Sequence, residues 1–85
     1  MRVAFTDDGW DDYTYWASND RRLLLRINRL IEDARRQPFT GIGKPEALKY
    51  DAQGAWSRRI TDEHRLVYLV ADDTLVILQA RFHHT

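Results

Sequence analysis

Residues 54–68 constrain the fold of this chain most, because they combine a strand-like pattern with closely spaced arginines. The pattern predicts a β-hairpin, with one strand over residues 56–61, a tight connection and a return strand that begins at Arg65. An unpaired guanidinium is costly to bury. Arg58, Arg59 and Arg65 are therefore expected to face water, carboxylates or a ligand that carries negative charge.

The connection of this hairpin decides which arginines share a face, because side chains alternate between the two faces of a strand. A three-residue connection, residues 62–64, pairs Thr61 with Arg65 and puts Arg59 on the same face as Arg65. A two-residue connection puts the two arginines on opposite faces. The hairpin residues by themselves leave both registers open.

The first half of the chain predicts a strand and two helices. Residues 2–5 form the strand, Thr6 is a plausible N-cap for the first helix, and Asp20 caps a second helix of about residues 21–36 that Pro38 ends. So short a link between helices predicts an antiparallel helical hairpin. In the second helix the apolar stripe is Leu23, Leu24, Ile27, Leu30, Ile31 and Ala34, and the residues outside it are Arg22, Arg26, Arg29, Glu32 and Asp33.

The second half predicts strands. After a loop over residues 38–45, strands are expected at residues 47–50, in the hairpin and at residues 74–82. The order βααββββ is that of an α+β protein, a two-helix hairpin packed on an antiparallel sheet. At 85 residues, the expectation is one domain that spans residues 1–85.

Composition disfavours several classes of protein. The chain has no cysteine, so it offers neither disulfides nor thiolate metal ligands, which suits a reducing cytoplasm. Residues 1–5 are too short an apolar run for a signal peptide, and no stretch of about 18 apolar residues predicts a membrane helix. Residues 35–85 contain eight Lys/Arg against six Asp/Glu within a formally neutral chain, which indicates a local anion site.

A carboxylate and three cations are the first candidates for chemistry. Glu46 ends the glycine- and proline-rich loop and is placed to act as a general base; the alternative is a solvated loop-end carboxylate. Lys49, Arg59 and Arg65, on three successive strands, are candidates to converge on one phosphate. The alternative is a solvated strand face whose charge is offset by neighbouring carboxylates.

The histidines are the other candidates. His83 and His84 do not predict a zinc site, because adjacent strand residues point to opposite faces and no third ligand is evident. One of them suits acid–base chemistry, while a frayed C-terminus is the alternative. His64 is expected to be structural or solvated, and Arg58 and Arg81 are expected to cover apolar surface with their stems.

These side chains suit the cleavage of RNA through its own 2′-hydroxyl group. A base removes the 2′-OH proton, cations stabilise the charge that develops on the phosphorane, and an acid protonates the leaving 5′-oxygen. Such a reaction needs no metal and no other cofactor.

Most of the chain resembles the YoeB toxins of the RelE/ParE superfamily, essentially from end to end. The most specific segments are the GxGKPE loop at residues 41–46 and the hairpin WSRRIT-x-EHRLVY at residues 56–68. Residues 10–16, 36–39 and 81–83 also match. The resemblance implies a ribosome-dependent mRNA endoribonuclease that acts in the ribosomal A site, forms homodimers and is held inactive by a YefM-type antitoxin.

The resemblance also implies roles for individual residues. It makes Glu46 the general base, His83 the general acid and Arg65 the group that stabilises the transition state. Lys49 and Arg59 become the phosphate contacts. Since these roles place Arg59 and Arg65 on one face, the three-residue hairpin connection is the one predicted.

The chain departs from the family at its C-terminus, where His84 is followed by Thr85 and the family commonly has a tyrosine after the catalytic histidine. That tyrosine helps to orient the substrate nucleotide, and an imidazole can also stack on a base. A second imidazole beside His83 leaves open which of the two donates the proton. The alternative function is a non-enzymatic binder, such as a superfamily member that inhibits DNA gyrase.

Overall fold

The computed structural model describes residues 1–49 and 54–82. Its two helices and five strands occur in the order βααββββ, which confirms the predicted α+β class. The elements are β1 (Arg2–Phe5), α1 (Asp7–Asn19), α2 (Arg21–Arg36), β2 (Glu46–Ala47), β3 (Trp56–Arg59), β4 (Arg65–Ala71) and β5 (Thr74–Gln79). No helix among these residues is long and apolar enough to cross a membrane.

Side-chain caps set the limits of the helices. The Thr6 hydroxyl accepts a hydrogen bond from the Gly9 amide at 3.1 Å and begins α1. Asp20 lies between the helices: its amide donates to the carbonyl of Trp16, and its carboxylate accepts from the Leu23 amide at 3.2 Å. Because one residue ends α1 and begins α2, the two helices form the predicted hairpin.

The strands form one sheet in the order β1-β5-β4-β3-β2. Strands β2 to β5 make the predicted antiparallel meander, and β1 lies parallel to β5, which makes the sheet mixed. Helix α1 approaches β5 closely, since a Cβ atom on Gly9 would collide with the Ile77 carbonyl. The helices and one face of the sheet enclose the core: Trp16, Ile27, Leu30, Ile31, Ala34, Ile60, Leu66, Tyr68, Leu75, Ile77 and Ala80.

Directly paired residues share a face of the sheet, so the register defines two faces. The core face carries Leu66 and Tyr68. The opposite face, here called the far face, is defined by Glu46, Ser57, Arg59 and Arg65, through the pairs Glu46↔Ser57 and Arg59↔Arg65.

The predicted three-residue hairpin connection is wrong. Arg59 pairs directly with Arg65, so residues 60–64 connect the paired strands and Thr61 is outside the ladder. The Thr61 hydroxyl accepts hydrogen bonds from the amides of Glu63 at 3.2 Å and His64 at 3.1 Å, which closes a wider turn. The register differs from the predicted one by two residues, and a shift of two preserves the face. Arg59 and Arg65 therefore share a face, as predicted.

Two other strand limits differ from the prediction. Strand β2 covers Glu46–Ala47 rather than residues 47–50, of which residue 50 lies outside the described part of the chain. Strand β5 ends at Gln79 rather than at residue 82, because both polar backbone groups of Ala80 form hydrogen bonds with side chains of α1. The Ala80 amide donates to the Asp12 carboxylate at 3.0 Å, and the Ala80 carbonyl accepts from the Trp16 indole at 2.8 Å.

Arg58 is buried, and the expectation that it covers surface with its stem is wrong. Its Nη1 atom is 2.6 Å from Asp33 Oδ2, and the arginine side chain is 0% exposed. Asp33 was expected outside the apolar stripe of α2, yet it is buried too. The Arg58 guanidinium, with help from the Ile42 amide, lowers the pKa of Asp33 from 3.8 to about 2.

Every N–H group of the Arg58 guanidinium has an acceptor, which makes its burial tolerable. The acceptors besides Asp33 are the Tyr68 hydroxyl at 3.0 Å and the carbonyls of Gln37 at 2.7 Å, Thr40 at 2.7 Å and Ile42 at 3.1 Å. The loop between α2 and β2 therefore wraps around one guanidinium. Gly43 allows this with a φ of 80°, a conformation that other residues rarely adopt.

Candidate functional site

Glu46 and Arg65 form an ion pair on the far face of the sheet. Arg65 Nη1 lies 2.9 Å from Glu46 Oε1, with the arginine side chain 23% exposed and the glutamate side chain 60% exposed. The same Nη1 atom donates to the Ser57 hydroxyl at 3.1 Å. Ser57 lies between the two partners in the sheet and is buried beneath them, so it fixes the direction of the guanidinium.

The backbone on both sides of Glu46 is held in place. Ahead of it, the Arg59 amide donates to the Gly43 carbonyl at 2.7 Å, which joins the loop to β3. After it, the Leu48 amide donates to the Ala55 carbonyl at 2.9 Å. The Glu46 carboxylate is thus exposed to solvent on a backbone that the buried Arg58 and the neighbouring strand hold.

Arg59 lies directly opposite Arg65 in the sheet. Two like charges in a cross-strand pair repel, so an anion between them would be favourable. The Arg59 guanidinium has a weak partner, Asp62, at 3.8 Å, and the arginine side chain is 43% exposed. Arg59 and Arg65 can therefore both reach a phosphate that binds on the far face.

The other predicted site residues are Lys49, His83 and His84, and among the described residues no hydrogen bond or ion pair joins Lys49 to the Glu46–Arg65 pair. Lys49 is exposed two residues beyond the end of β2, so its part in a phosphate site stays a prediction. His83 and His84 lie outside the described residues. The chain approaches them through Phe82, whose amide donates to His64 Nδ1 at 2.7 Å and whose carbonyl accepts from the Arg65 amide at 2.9 Å.

Two residues in or beside the site were missed from the sequence. Ser57 was detectable, because it lies two positions before Arg59 and period-two alternation puts both on one face. His64 was named only as structural or solvated. Its contact with Phe82 joins residues 18 positions apart, and no local pattern indicates such a contact.

The far face brings together a carboxylate and guanidinium groups at a solvent-accessible position. An arginine can bind phosphate through two parallel hydrogen bonds, and an adjacent carboxylate can accept a proton. The 2.9 Å contact satisfies the near-contact geometry that cooperation in one transfer step requires. Phosphoryl transfer is therefore a reaction that this arrangement can support.

Solved structures with the same fold define the class as small bacterial toxins. The YoeB/ParE toxin from Agrobacterium tumefaciens has 50% identity and a TM-score of 0.95, with 99% of this chain and 100% of that chain covered. YoeB from Staphylococcus aureus, solved as a dimer and in a heterotetrameric complex with YefM, has 39% identity and TM-scores of 0.91 and 0.89. Both comparisons cover 99% of this chain and 98% of the other.

The sequence comparisons define the family. A model of the YoeB-like toxins of bacterial type II toxin–antitoxin systems matches residues 5–84. Toxin YoeB from Streptomyces coelicolor is 61% identical over 84 residues, which cover 99% of this chain and 100% of that protein. The chain therefore belongs to the YoeB-like toxin family.

Proposed function

We propose that this toxin is a ribosome-dependent endoribonuclease that cleaves mRNA in the ribosomal A site and so inhibits translation. The observation that supports this most is the contact between Glu46 and Arg65, 2.9 Å apart on an exposed face. A base and a phosphate-binding cation in contact are what RNA cleavage through the 2′-hydroxyl requires.

The reaction begins when the scissile phosphate reaches the far face. The phosphate competes with Glu46 for the Arg65 guanidinium, which turns the carboxylate towards the ribose. Glu46 then removes the 2′-OH proton as the 2′-oxygen attacks phosphorus, and the P–O5′ bond breaks. Arg65 stabilises the charge on the phosphorane oxygens.

The remaining proposed residues bind substrate or complete the proton transfer. Lys49 and Arg59 contact phosphate groups, and His83 protonates the leaving 5′-oxygen. His84 stacks on a nucleotide base, the part that a tyrosine commonly takes in this family. We further propose that the toxin forms a homodimer and is inhibited by a YefM-type antitoxin, as the Staphylococcus aureus relatives suggest.

Single substitutions in a cell-free translation system test the function. Glu46→Ala and Arg65→Ala should each lower the rate of mRNA cleavage about 10²- to 10³-fold, because each removes a group that acts in the transition state. Primer extension on programmed ribosomes reports the cleavage position, which should lie within the A-site codon. Glu63→Ala and Arg29→Ala change exposed residues of the same types and should cleave normally.

The outcome also separates this proposal from a non-enzymatic function. If Glu46→Ala and Arg65→Ala both block protein synthesis as strongly as the unaltered chain, catalysis by these residues is wrong. A gyrase supercoiling assay examines the main alternative, and inhibition of supercoiling with intact mRNA would favour the binder instead.

A further inference from the structure

We propose that His64 is a positioning residue that holds the backbone of Phe82 beside Arg65, and so restrains the position from which the chain continues to His83. This inference rests on the proposed function, in which His83 supplies a proton. It gives a specific task to a residue that the chemistry described above does not use.

His64 and Arg65 together hold both polar backbone groups of Phe82. The Phe82 amide donates to His64 Nδ1 at 2.7 Å, and the Arg65 amide donates to the Phe82 carbonyl at 2.9 Å. Both distances are typical of well-formed hydrogen bonds. This pair of bonds, here called the Phe82 clasp, ties the end of the described chain to the residue proposed to stabilise the transition state.

Contacts hold both the imidazole and the backbone of His64. Its ring lies 4.8 Å from the Trp16 ring at an interplanar angle of 76°, and 5.1 Å from the Phe82 ring. The His64 amide donates to the Thr61 hydroxyl at 3.1 Å. A ring fixed in this way presents Nδ1 as an acceptor, which requires a neutral imidazole with its proton on Nε2.

The backbone of Phe82 needs such a restraint. Its φ is 58°, in the left-handed region, which is unfavourable for a bulky aromatic residue and persists only where surrounding contacts impose it. Two residues earlier, the backbone of Ala80 forms hydrogen bonds with the side chains of Asp12 and Trp16 of α1. The clasp adds the last fixed point before His83, the next residue in the chain.

Position matters here because proton transfer and phosphoryl transfer both depend on near-contact geometry. A displacement of about 1 Å in a group that acts in the reaction can lower a rate about 10²-fold. Since the clasp includes the Arg65 amide, it fixes the backbone of Phe82 relative to the strand that carries the proposed phosphate-binding guanidinium. Loss of the clasp should therefore reduce the rate of cleavage more than the binding of the ribosome.

Two variants separate the acceptor of His64 from its ring. His64→Phe keeps an aromatic ring against Trp16 and removes the acceptor. His64→Asn removes the ring, but its amide oxygen can occupy the place of Nδ1 and accept the same bond. Under the proposal, His64→Phe lowers kcat about 10- to 100-fold with a smaller change in KM, and His64→Asn retains most of kcat.

Amide hydrogen exchange tests the clasp without any assay of activity. Protection of the Phe82 amide should be lost in His64→Phe and kept in His64→Asn. In the unaltered chain, a through-hydrogen-bond ¹⁵N–¹⁵N coupling should join the Phe82 amide to His64 Nδ1, which makes the test independent of whether a variant folds. Absence of this coupling, with the proton found on Nδ1, would overturn the proposal.

A double-substitution cycle with His83→Gln distinguishes positioning from a general loss of stability. If His64 acts through the tail, His64→Phe adds little further loss of rate once His83 has been replaced. Full additivity, or an unchanged kcat in His64→Phe despite lost protection at Phe82, would show that the clasp does not position the reacting groups. If the unaltered toxin cleaves no mRNA, the proposed function fails and so does the positioning role, even where the exchange and coupling data confirm the clasp.

Discussion

Arg58 and Arg65 lie on adjacent strands but on opposite faces of the sheet, and their surroundings differ accordingly. The Arg58 side chain is 0% exposed and directs five N–H groups at protein acceptors, including Asp33. The Arg65 side chain is 23% exposed, with Glu46 and Ser57 as partners on one nitrogen. A guanidinium whose donors are all used inside the protein holds structure together. The remaining donors of Arg65 have no partner among residues 1–49 and 54–82, and a partly exposed guanidinium of this kind is available to a ligand.

The difference shows that charge alone does not identify a functional arginine. What matters is how many donors the protein itself satisfies and how much of the group remains accessible. Arg58 nevertheless serves the far face indirectly, since it holds the loop that leads to Glu46. If this comparison is right, substitutions on the core face should affect stability, and substitutions on the far face should affect activity.

The largest expected effect on stability comes from Arg58→Met. This change leaves the buried Asp33 carboxylate and three partly buried loop carbonyls without the arginine, so we expect a loss of about 3–5 kcal/mol in the free energy of unfolding. Urea denaturation measures it. Arg59→Met, the matched change on the far face, should cost less than about 1 kcal/mol. Equal costs for the two variants would remove the distinction between the faces.

Acid should weaken the core-face ion pair selectively. The pKa of Asp33 is lowered from 3.8 to about 2 in the folded chain, so the unfolded chain takes up the proton first as the pH falls. The stability from this carboxylate is complete above about pH 4 and is lost towards pH 2, on the order of 2 kcal/mol in total. Urea midpoints measured across this range should fall steeply.

The matched variants identify the group responsible for this acid effect. Asp33→Asn should flatten the dependence of the urea midpoint on pH, whereas Glu46→Gln should leave most of it in place. An unchanged slope in Asp33→Asn would mean that other carboxylates cause the loss of stability.

A smaller effect is expected for Tyr68→Phe. The Tyr68 hydroxyl accepts from Arg58 at 3.0 Å and donates to the Pro38 carbonyl at 2.6 Å, so its removal leaves a buried donor and a partly buried acceptor unsatisfied. We expect a loss of about 1–2 kcal/mol in the free energy of unfolding. Tyr13→Phe removes a hydroxyl bonded to Asn28 at the surface and should cost less than Tyr68→Phe. Thermal unfolding of both variants gives the comparison.

The smallest effect on stability should come from Glu46→Gln. Its ion pair with Arg65 is largely exposed, and such pairs contribute about 0–1 kcal/mol. The same variant should lose most of its mRNA cleavage, because an amide cannot accept the 2′-OH proton. Denaturation and cleavage measured on one preparation test both statements. A variant that is clearly destabilised but fully active would reverse the roles assigned to the two faces.

The helices and the order of the elements were predictable because their signals are local. The apolar stripe of α2, the caps at Thr6 and Asp20 and the stop at Pro38 all act within a few residues of one another. Glu46, Arg59 and Arg65 were candidates from their residue types and positions, the resemblance to a family implied their separate roles, and the alternation of β3 would have added Ser57. Their roles in the reaction remain proposals.

The hairpin register was predicted only in part. The prediction that Arg59 and Arg65 share a face was confirmed, because two registers that differ by two residues place each side chain on the same face. The length of the connection was wrong, since the Thr61 hydroxyl accepts from the turn amides and takes that residue out of the ladder. A single hydroxyl that competes with the backbone for hydrogen bonds is a weak signal in a sequence.

The sequence by itself determined the α+β class, the element order and the presence of a carboxylate and basic groups near a hairpin. Only the tertiary structure decided which arginine is buried, since Asp33 lies 25 positions before Arg58 and both resemble surface residues in the sequence. The same holds for the contact of His64 with Phe82, across 18 positions. Periodicity and capping are local, whereas burial of a charge depends on partners that folding brings together from distant parts of the chain.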